Sequence, residues 1–215
     1  MLISMFQRSC TAAIRDLLPG HDLRFLQKEE DPPIWRVFYS NSQCGLVYEQ
    51  DFRDQLTSLS LTRLASGQIR YPFSEDLSGH PEAVNALDLF PIYGAMEVEA
   101  ELRGESARES VRILTKHVGE LLGHVLEGDF ADFAEAGKLM RWRRSPEGMA
   151  FRMEQGKASL RNVPGIAKII DPRLLDPTEV PELSTAELYR KLGIEIRSPG
   201  GDRRKRRTPG SGRKN

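Results

Sequence analysis

Two short runs of β-branched and aromatic residues, separated by a polar turn, place the strongest constraint on the fold of this chain. Residues 34–39 and 44–49 form the two runs, and residues 40–43 are a cluster of serine, asparagine and glutamine. Such runs on either side of a short turn are typical of a β-hairpin. The sequence therefore predicts an antiparallel pair of strands here.

Further strand-like segments flank this hairpin. Residues 22–26 precede it, with a break at residues 29–33 that contains two prolines. Residues 56–64 alternate imperfectly, so a strand and a helix both remain open there. Residues 96–102 alternate apolar and acidic side chains, which favours a half-buried strand over the start of a solvated helix.

Apolar residues spaced by three and four positions predict helices before and after these strands. Residues 2–18 carry such a stripe, and a Pro-Gly pair ends it. Residues 106–128 begin with a capping-box pattern and continue with a helical stripe. Asp129 is placed to cap a further helix over residues 130–140. A second capping-box pattern opens a short helix at residues 185–192.

Together these segments predict an α+β fold: a small antiparallel sheet packed by a helical pair, with an irregular C-terminal segment. The α+β body spans residues 1–145 and includes a long connection at residues 66–94 with a short helix towards its end. Prolines interrupt residues 146–197, which predicts extended chain around the short helix. Residues 198–215 are polar, basic and rich in glycine, which predicts a disordered tail.

The cysteine count and the apolar segments indicate the compartment. Cys10 and Cys44 are the only cysteines among 215 residues, so no disulfide framework is expected, and both are expected to be buried as small hydrophobic residues. The first residues do not have the pattern of a signal peptide, and no window is long and apolar enough for a membrane span. We therefore expect a cytoplasmic protein with no membrane partner.

The formal net charge of zero hides an uneven distribution of charge. Residues 201–215 hold seven basic residues and one acidic residue, a charge of +6, while the rest of the chain holds 24 basic and 30 acidic residues, a charge of −6. The basic run consists of Arg203, Arg204, Lys205, Arg206 and Arg207. Without interleaved aromatic residues, it predicts non-specific contacts to nucleic-acid phosphates. A solubilising tail without a specific role is the alternative.

One helical stripe combines residue types that bind metals. His117, Glu120 and His124 recur at spacings of three and four residues in the helix predicted over residues 106–128. The two histidines are two helical turns apart, which is too far for one straight helix to place both on one ion. A solvated helix edge is therefore favoured over a metal site, and no cofactor is expected.

Glu97, Glu99 and Glu101 would share one face of a strand at residues 96–102. Clustered carboxylates can bind Mg²⁺ or act as general acid and base, but no nuclease-type pattern accompanies them. A sheet surface that faces water is the simpler interpretation, and the same acidic face could dock a basic partner protein. No serine-nucleophile motif or phosphate-binding loop occurs, so we predict no catalytic residue.

The strand and helix segments resemble those of a group of small bacterial proteins, some of which are immunity proteins of polymorphic toxin systems. The resemblance rests on residues 35–41 and 44–46 of the hairpin, residues 22–25 before it, and residues 128–130 with Phe133 after it. It covers residues 22–140 and implies a compact fold that binds a toxin protein. It supplies no catalytic residue, and the segment after residue 145 departs from the group's compact pattern.

Three functions follow from these features. The first is a non-catalytic protein-binding module, with an immunity or inhibitor protein of a bacterial toxin as its most defined form. The second is a nucleic-acid-associated protein that uses its basic tail. The third is an enzyme built on the histidine stripe or the acidic face, which would retain metal through gentle purification.

Deletion of residues 202–215 tests the nucleic-acid role. Residues 202–215 hold seven basic residues and one acidic residue, so their removal should abolish salt-sensitive retention on DNA or RNA columns. Elution of the full chain and the truncated chain at several salt concentrations measures the effect. Unchanged retention of the truncated chain would exclude a role of the tail.

Overall fold

A five-stranded antiparallel sheet organises the structure, a computed structural model that describes residues 2–64, 67–69, 81–161 and 183–197. The strands lie in chain order across the sheet: β1 (Arg24–Asp31), β2 (Ile34–Ser40), β3 (Cys44–Asp51), β4 (Leu56–Arg63) and β5 (Ala83–Asn85). The helices are α1 (Leu2–Leu17), α2 (Ala86–Leu89), α3 (Val98–Glu101), α4 (Ala107–Leu121), α5 (Gly123–Leu126), α6 (Phe133–Arg144), α7 (Pro146–Arg161) and α8 (Thr185–Lys191), and a 3-10 helix spans Phe90–Tyr93. The predicted α+β fold is confirmed.

The predicted hairpin is formed by β2 and β3, whose register places Val37 opposite Tyr48. Residues 56–64, for which strand and helix were both open, form β4. Strand β1 is longer than predicted, because it continues through the acidic residues as far as Asp31. It is one of the two edge strands and is mostly exposed, so charged side chains do not prevent it from pairing with β2.

The core lies between one face of the sheet and helices α1 and α4. Successive strand residues point to opposite faces, so every second side chain of β2, β3 and β4 faces these helices. These buried side chains are Val37, Tyr39, Leu46, Tyr48, Leu59 and Leu61. They meet a stripe from α1 that includes Phe6, Cys10 and Ile14, and a stripe from α4 that includes Val111, Leu114 and Val118.

Helices α1 and α4 approach each other closely where Gly119 of α4 faces the end of α1. A Cβ atom at this position would lie 3.0 Å from the carbonyl oxygen of Leu17 and 2.9 Å from a methyl carbon of Leu18. The hydrogen of glycine thus lets the end of α1 rest directly on α4.

Residues 96–102 form helix α3 and its flanks, so the strand predicted there is wrong. Only Val98 among the alternating apolar residues is buried, and the three glutamates are exposed. Methionine, glutamate and alanine favour helix over strand, and one buried anchor is enough for a single helical turn. The apolar-acidic alternation was therefore misleading.

Residues 146–161 are helical, whereas extended chain was predicted after residue 145. Pro146 stands at the first position of α7, where proline is accepted because its missing N–H has no partner within a helix. The later prolines that favoured extended chain lie in residues 162–182, outside the described residues. Helix α8 confirms the short helix predicted at residues 185–192, and its capping box is complete.

Two helix boundaries differ from those predicted. The helix predicted to reach Gly128 ends at Leu121, and after Leu122 the short helix α5 begins at Gly123, a residue type that weakens a helix. Helix α6 begins at Phe133 rather than directly after Asp129, because Asp129 instead accepts a hydrogen bond from the Ala131 N–H before the helix starts.

The Thr115 hydroxyl connects α4 to the sheet and predicts an unequal pair of stability effects. It donates to the Val111 carbonyl at 2.6 Å, so the hydroxyl of Tyr48, 2.8 Å away, must donate to it. Thr115→Val leaves the buried hydroxyl donor of Tyr48 without an acceptor and should lower the free energy of unfolding by about 1–3 kcal/mol. Tyr48→Phe leaves no donor without an acceptor and should lower the free energy of unfolding by about 1 kcal/mol. Urea unfolding of both variants measures the costs, and an equal or reversed order would contradict this assignment.

Candidate functional site

One end of the helical layer opens into an apolar groove, named here the α1–α4 groove. Its volume is about 550 Å³. The first half of α1 forms one wall and the start of α4 forms the other. Trp35 at the start of β2 and Phe52 just after β3 complete the lining. The groove thus lies at the end of the sheet where both helices begin.

The helix stripes decide which side chains reach the groove. Met5, Ser9 and Ala12 of α1 are spaced by four and three residues and therefore share one face of the helix. On the opposite wall, the Ser106 hydroxyl accepts the Glu109 N–H at 3.3 Å and so fixes the start of α4.

Two aromatic rings and a methionine give the groove an exposed apolar surface. The rings of Trp35 and Phe52 pack with their centroids 3.9 Å apart, and the Phe52 N–H donates to the Pro33 carbonyl at 3.1 Å, which holds the turn in place. Phe52 is nevertheless 41% exposed and Met5 is 52% exposed. Contiguous apolar surface of this kind is typical of interaction sites.

The charged residues that line the groove, Arg8 and Arg108, are both basic. Arg8 donates through Nε to the Ser4 carbonyl of its own helix at 3.2 Å, and within the described ranges neither arginine forms an ion pair with a carboxylate. Three of the nearby acids are paired with other arginines: Asp51 and Asp54 with Arg53, and Glu109 with Arg112. The groove therefore combines an apolar floor with two cations that have no acidic partner there.

A buried polar cluster lies around Asp132, whose side chain is 2% exposed. Its carboxylate is 2.9 Å from Nε2 of His124, accepts Nη1 of Arg197 at 2.8 Å, and also accepts the hydroxyl proton of Tyr93. Burial raises the pKa of Asp132, but the hydrogen bonds from His124 and Tyr93 and the charge of Arg197 outweigh it. The pKa of this carboxyl is therefore held well below its usual range.

The Asp132 cluster fastens the C-terminal segment to the body. Arg197 donates from its side chain to Asp132 and from its backbone N–H to the Ile92 carbonyl at 2.6 Å. The four side chains come from the 3-10 helix, α5, the start of α6 and residue 197, and none of them lines the α1–α4 groove. Sequence reasoning missed Asp132, Tyr93 and Arg197 because no motif joins residues so far apart.

A second cavity of about 470 Å³ lies where α2, α6, α7 and α8 meet. In the lining of this cavity, the guanidinium of Arg143 donates two hydrogen bonds, of 2.9 Å and 2.7 Å, to the buried carboxylate of Asp88. The hydroxyl of Tyr189 donates to the Asp88 carbonyl at 2.9 Å, which holds α8 in place. Asp88, Arg143 and Tyr189 thus form hydrogen bonds with one another.

The histidine stripe predicted from sequence is divided between two places. Nε2 of His117 is 3.2 Å from a carboxylate oxygen of Glu101, and its Nδ1 is 3.9 Å from Glu120. His124 instead lies in α5 beside Asp132. In the part of the chain that the structure describes, no group of three or more His, Cys, Asp or Glu side chains is arranged to hold a metal ion.

The acidic residues predicted as a docking face do not share one side of α3. Residues advance by about 100° along a helix, so Glu97 and Glu101 lie on one side and Glu99 on the opposite side. Glu99 lines the second cavity. A docking role for these three residues stays a prediction. The shared strand face on which that prediction was based does not form.

Both cysteines are free and buried, as predicted. Burial raises the pKa of the Cys44 thiol to about 12 and also raises the pKa of Cys10. The thiolate is the nucleophilic form of cysteine, so neither residue is activated for nucleophilic chemistry at neutral pH.

The comparisons assign the chain to no family: no family model, curated protein or solved structure matches it. None of the helices in the described ranges has both the length and the apolar character needed to cross a membrane. The basic run at residues 203–207 lies outside the described residues, so its contact with nucleic acid stays a prediction.

Asp132→Asn tests the cluster that holds the C-terminal segment. The amide would leave the partly exposed guanidinium of Arg197 without its anionic partner, so we expect the free energy of unfolding to fall by about 1–3 kcal/mol. Asp16→Asn is the control, because its ion pair with Arg15 is exposed, and we expect it to leave the free energy of unfolding nearly unchanged. Equal effects of the two variants in urea unfolding would contradict the assigned role.

The depressed pKa of Asp132 also predicts a pH dependence. A carboxyl group whose pKa is lower in the folded chain stabilises the fold above its unfolded pKa of about 3.9, and the effect is lost as the pH falls towards the folded value. The stability difference between wild type and Asp132→Asn should therefore narrow as the pH falls from about 5 to about 2. If the stability difference is unchanged over this pH range, the ionised carboxylate of Asp132 does not stabilise the fold.

Proposed function

We propose that this protein is a non-catalytic protein-binding module that holds a segment of a partner protein in the α1–α4 groove. The exposed apolar floor of the groove carries the proposal, because Phe52 and Met5 are 41% and 52% exposed beside the ring of Trp35. Exposed aromatic and methionine side chains that line one groove form a candidate surface for a partner. A segment that inserts an apolar side chain would remove this surface from water, which is favourable.

The residue types of the groove support a protein partner over a small molecule. Tryptophan, phenylalanine, methionine and arginine are all enriched at protein interfaces, and tryptophan and arginine are frequent among the residues that contribute most to binding. Small-molecule sites usually enclose most of their ligand. The α1–α4 groove runs along the surface between two helices, a shape suited to a chain segment.

The polar clusters elsewhere support a role without bond-making chemistry. Asp132 and Asp88 are buried and saturated with donors from His124, Tyr93, Arg197 and Arg143, so their carboxylates serve to fasten the C-terminal elements. A group already bound in this way is poorly placed to act as an acid or base on a substrate.

The resemblance of residues 22–140 to immunity proteins makes a bacterial toxin one partner of the proposed kind. In that role the protein would bind the toxin through the groove and block its action. The groove replaces the acidic surface of Glu97, Glu99 and Glu101 as the preferred contact, because α3 divides those residues between two sides. Nucleic-acid binding by residues 203–207 is a separate proposal for a different part of the chain.

A double variant, Met5→Ala with Phe52→Ala, tests the proposal. A partner is first captured from the source cell with the wild-type protein, then purified, and its Kd for each form is measured by titration calorimetry. Loss of two apolar contacts at the centre of an interface should weaken binding by about 2 kcal/mol, or roughly 30-fold. Circular dichroism checks that the variant remains folded.

The matched control is Met149→Ala with Met153→Ala, which removes two exposed methionines of α7 that do not line the groove. We expect the control to bind as the wild type does. Equal binding by the groove variant and the wild type would exclude the α1–α4 groove as the binding site. Failure of the wild type to retain any partner would reject the protein-binding role.

A further inference from the structure

We infer that the segment held in the α1–α4 groove is acidic, with carboxylates that pair with Arg8 and Arg108 on either side of an apolar side chain. The inference rests on the proposed function and names the chemistry of its partner. It depends on an observation separate from the apolar floor: the charged side chains that line the groove have the same sign and come from different helices.

The two arginines are available for a partner. Arg8 uses only Nε, in its bond to the Ser4 carbonyl, and the remaining four N–H donors of its guanidinium can reach a carboxylate. Arg108 is exposed at the start of α4. Guanidinium groups bind carboxylates with two parallel hydrogen bonds, which gives both affinity and orientation.

The acids around the groove are mostly occupied, so they do not neutralise these arginines. Asp51 and Asp54 contact Arg53, and Glu109 contacts Arg112 at 2.9 Å. The net negative charge of residues 1–200 acts over longer distances, where physiological salt screens it beyond about 8 Å. Charges in direct contact with the segment therefore decide which sign of partner is favoured.

The groove also distinguishes its two sides. Glu30 of β1 lies opposite Trp35 in the sheet register, and Lys28 of the same strand donates to the Ser4 hydroxyl at 3.1 Å, so the charges of β1 near the groove have both signs and neither residue lines it. Arg8 and Arg108 lie on the helices. A bound segment should consequently turn its carboxylates towards α1 and α4 and its apolar side chain towards Trp35 and Phe52.

Three synthetic peptides of equal length and identical apolar residues provide the probe. Their remaining positions carry aspartate and glutamate in the first, lysine and arginine in the second, and serine and asparagine in the third. Fluorescence anisotropy with labelled peptides measures their Kd. The acidic peptide should bind the wild-type protein at least about tenfold more tightly than the neutral one, and the preference should shrink as salt is raised.

The test variant is Arg8→Glu with Arg108→Glu, and the control is Arg24→Glu with Arg190→Glu, which makes the same change in net charge at exposed positions outside the groove lining. The test variant should lose the preference for the acidic peptide and favour the basic one. The control should retain most of the preference for the acidic peptide. An equal loss in both variants would show that net charge alone is responsible, and would overturn the inference.

The outcomes separate this inference from the proposed function. If the three peptides bind alike, or none binds, or the captured partner binds the arginine variant as well as the wild type, the acidic-segment inference is wrong. The effect of Met5→Ala with Phe52→Ala on the captured partner still decides whether the groove is the binding site.

Discussion

Burial of the helix-facing side of β2, β3 and β4 is the constraint on which the rest of the structure depends. Six apolar side chains on that face must be covered, and α1 and α4 cover them with their own apolar stripes. The contact of Gly119 with the end of α1 and the hydrogen bond between Thr115 and Tyr48 then fix where the two helices lie. The groove is a consequence of this packing, because both helices begin beside Trp35 and leave its ring, with that of Phe52, partly uncovered.

Buried carboxylates attach the C-terminal elements to this core. Removing an ionised carboxylate from water is costly unless donors replace the lost hydration. Asp132 obtains three such donors, one of them from Arg197 of the C-terminal segment, and Asp88 obtains two N–H donors from the guanidinium of Arg143 in α6. Asp132 and Asp88 thus act as structural anchors for these elements.

The charges that line the groove differ in sign from the net charge of the chain before the basic tail. The chain before the basic tail is negative overall, yet the α1–α4 groove is lined by arginines from two helices. Three acids beside the groove are paired with Arg53 and Arg112, and the charged side chains that line the groove itself are Arg8 and Arg108. Apolar surface and two arginines that form no ion pair within the described residues thus occur together in the groove, whereas Arg143 in the second cavity is paired with Asp88.

The sequence by itself determined the local elements whose patterns are repeated and unopposed: the hairpin of β2 and β3, helix α1, and the capping box of α8. It did not determine residues 96–102, where apolar-acidic alternation was outweighed by helix preference around one buried valine, or α7, whose start at Pro146 looked like an interruption. Only the tertiary structure brought Asp132 into contact with Arg197. It likewise placed Arg8 and Arg108 along the same groove. Periodicity records which face of an element is buried, whereas side chains far apart in sequence meet only after the core has fixed how those elements pack.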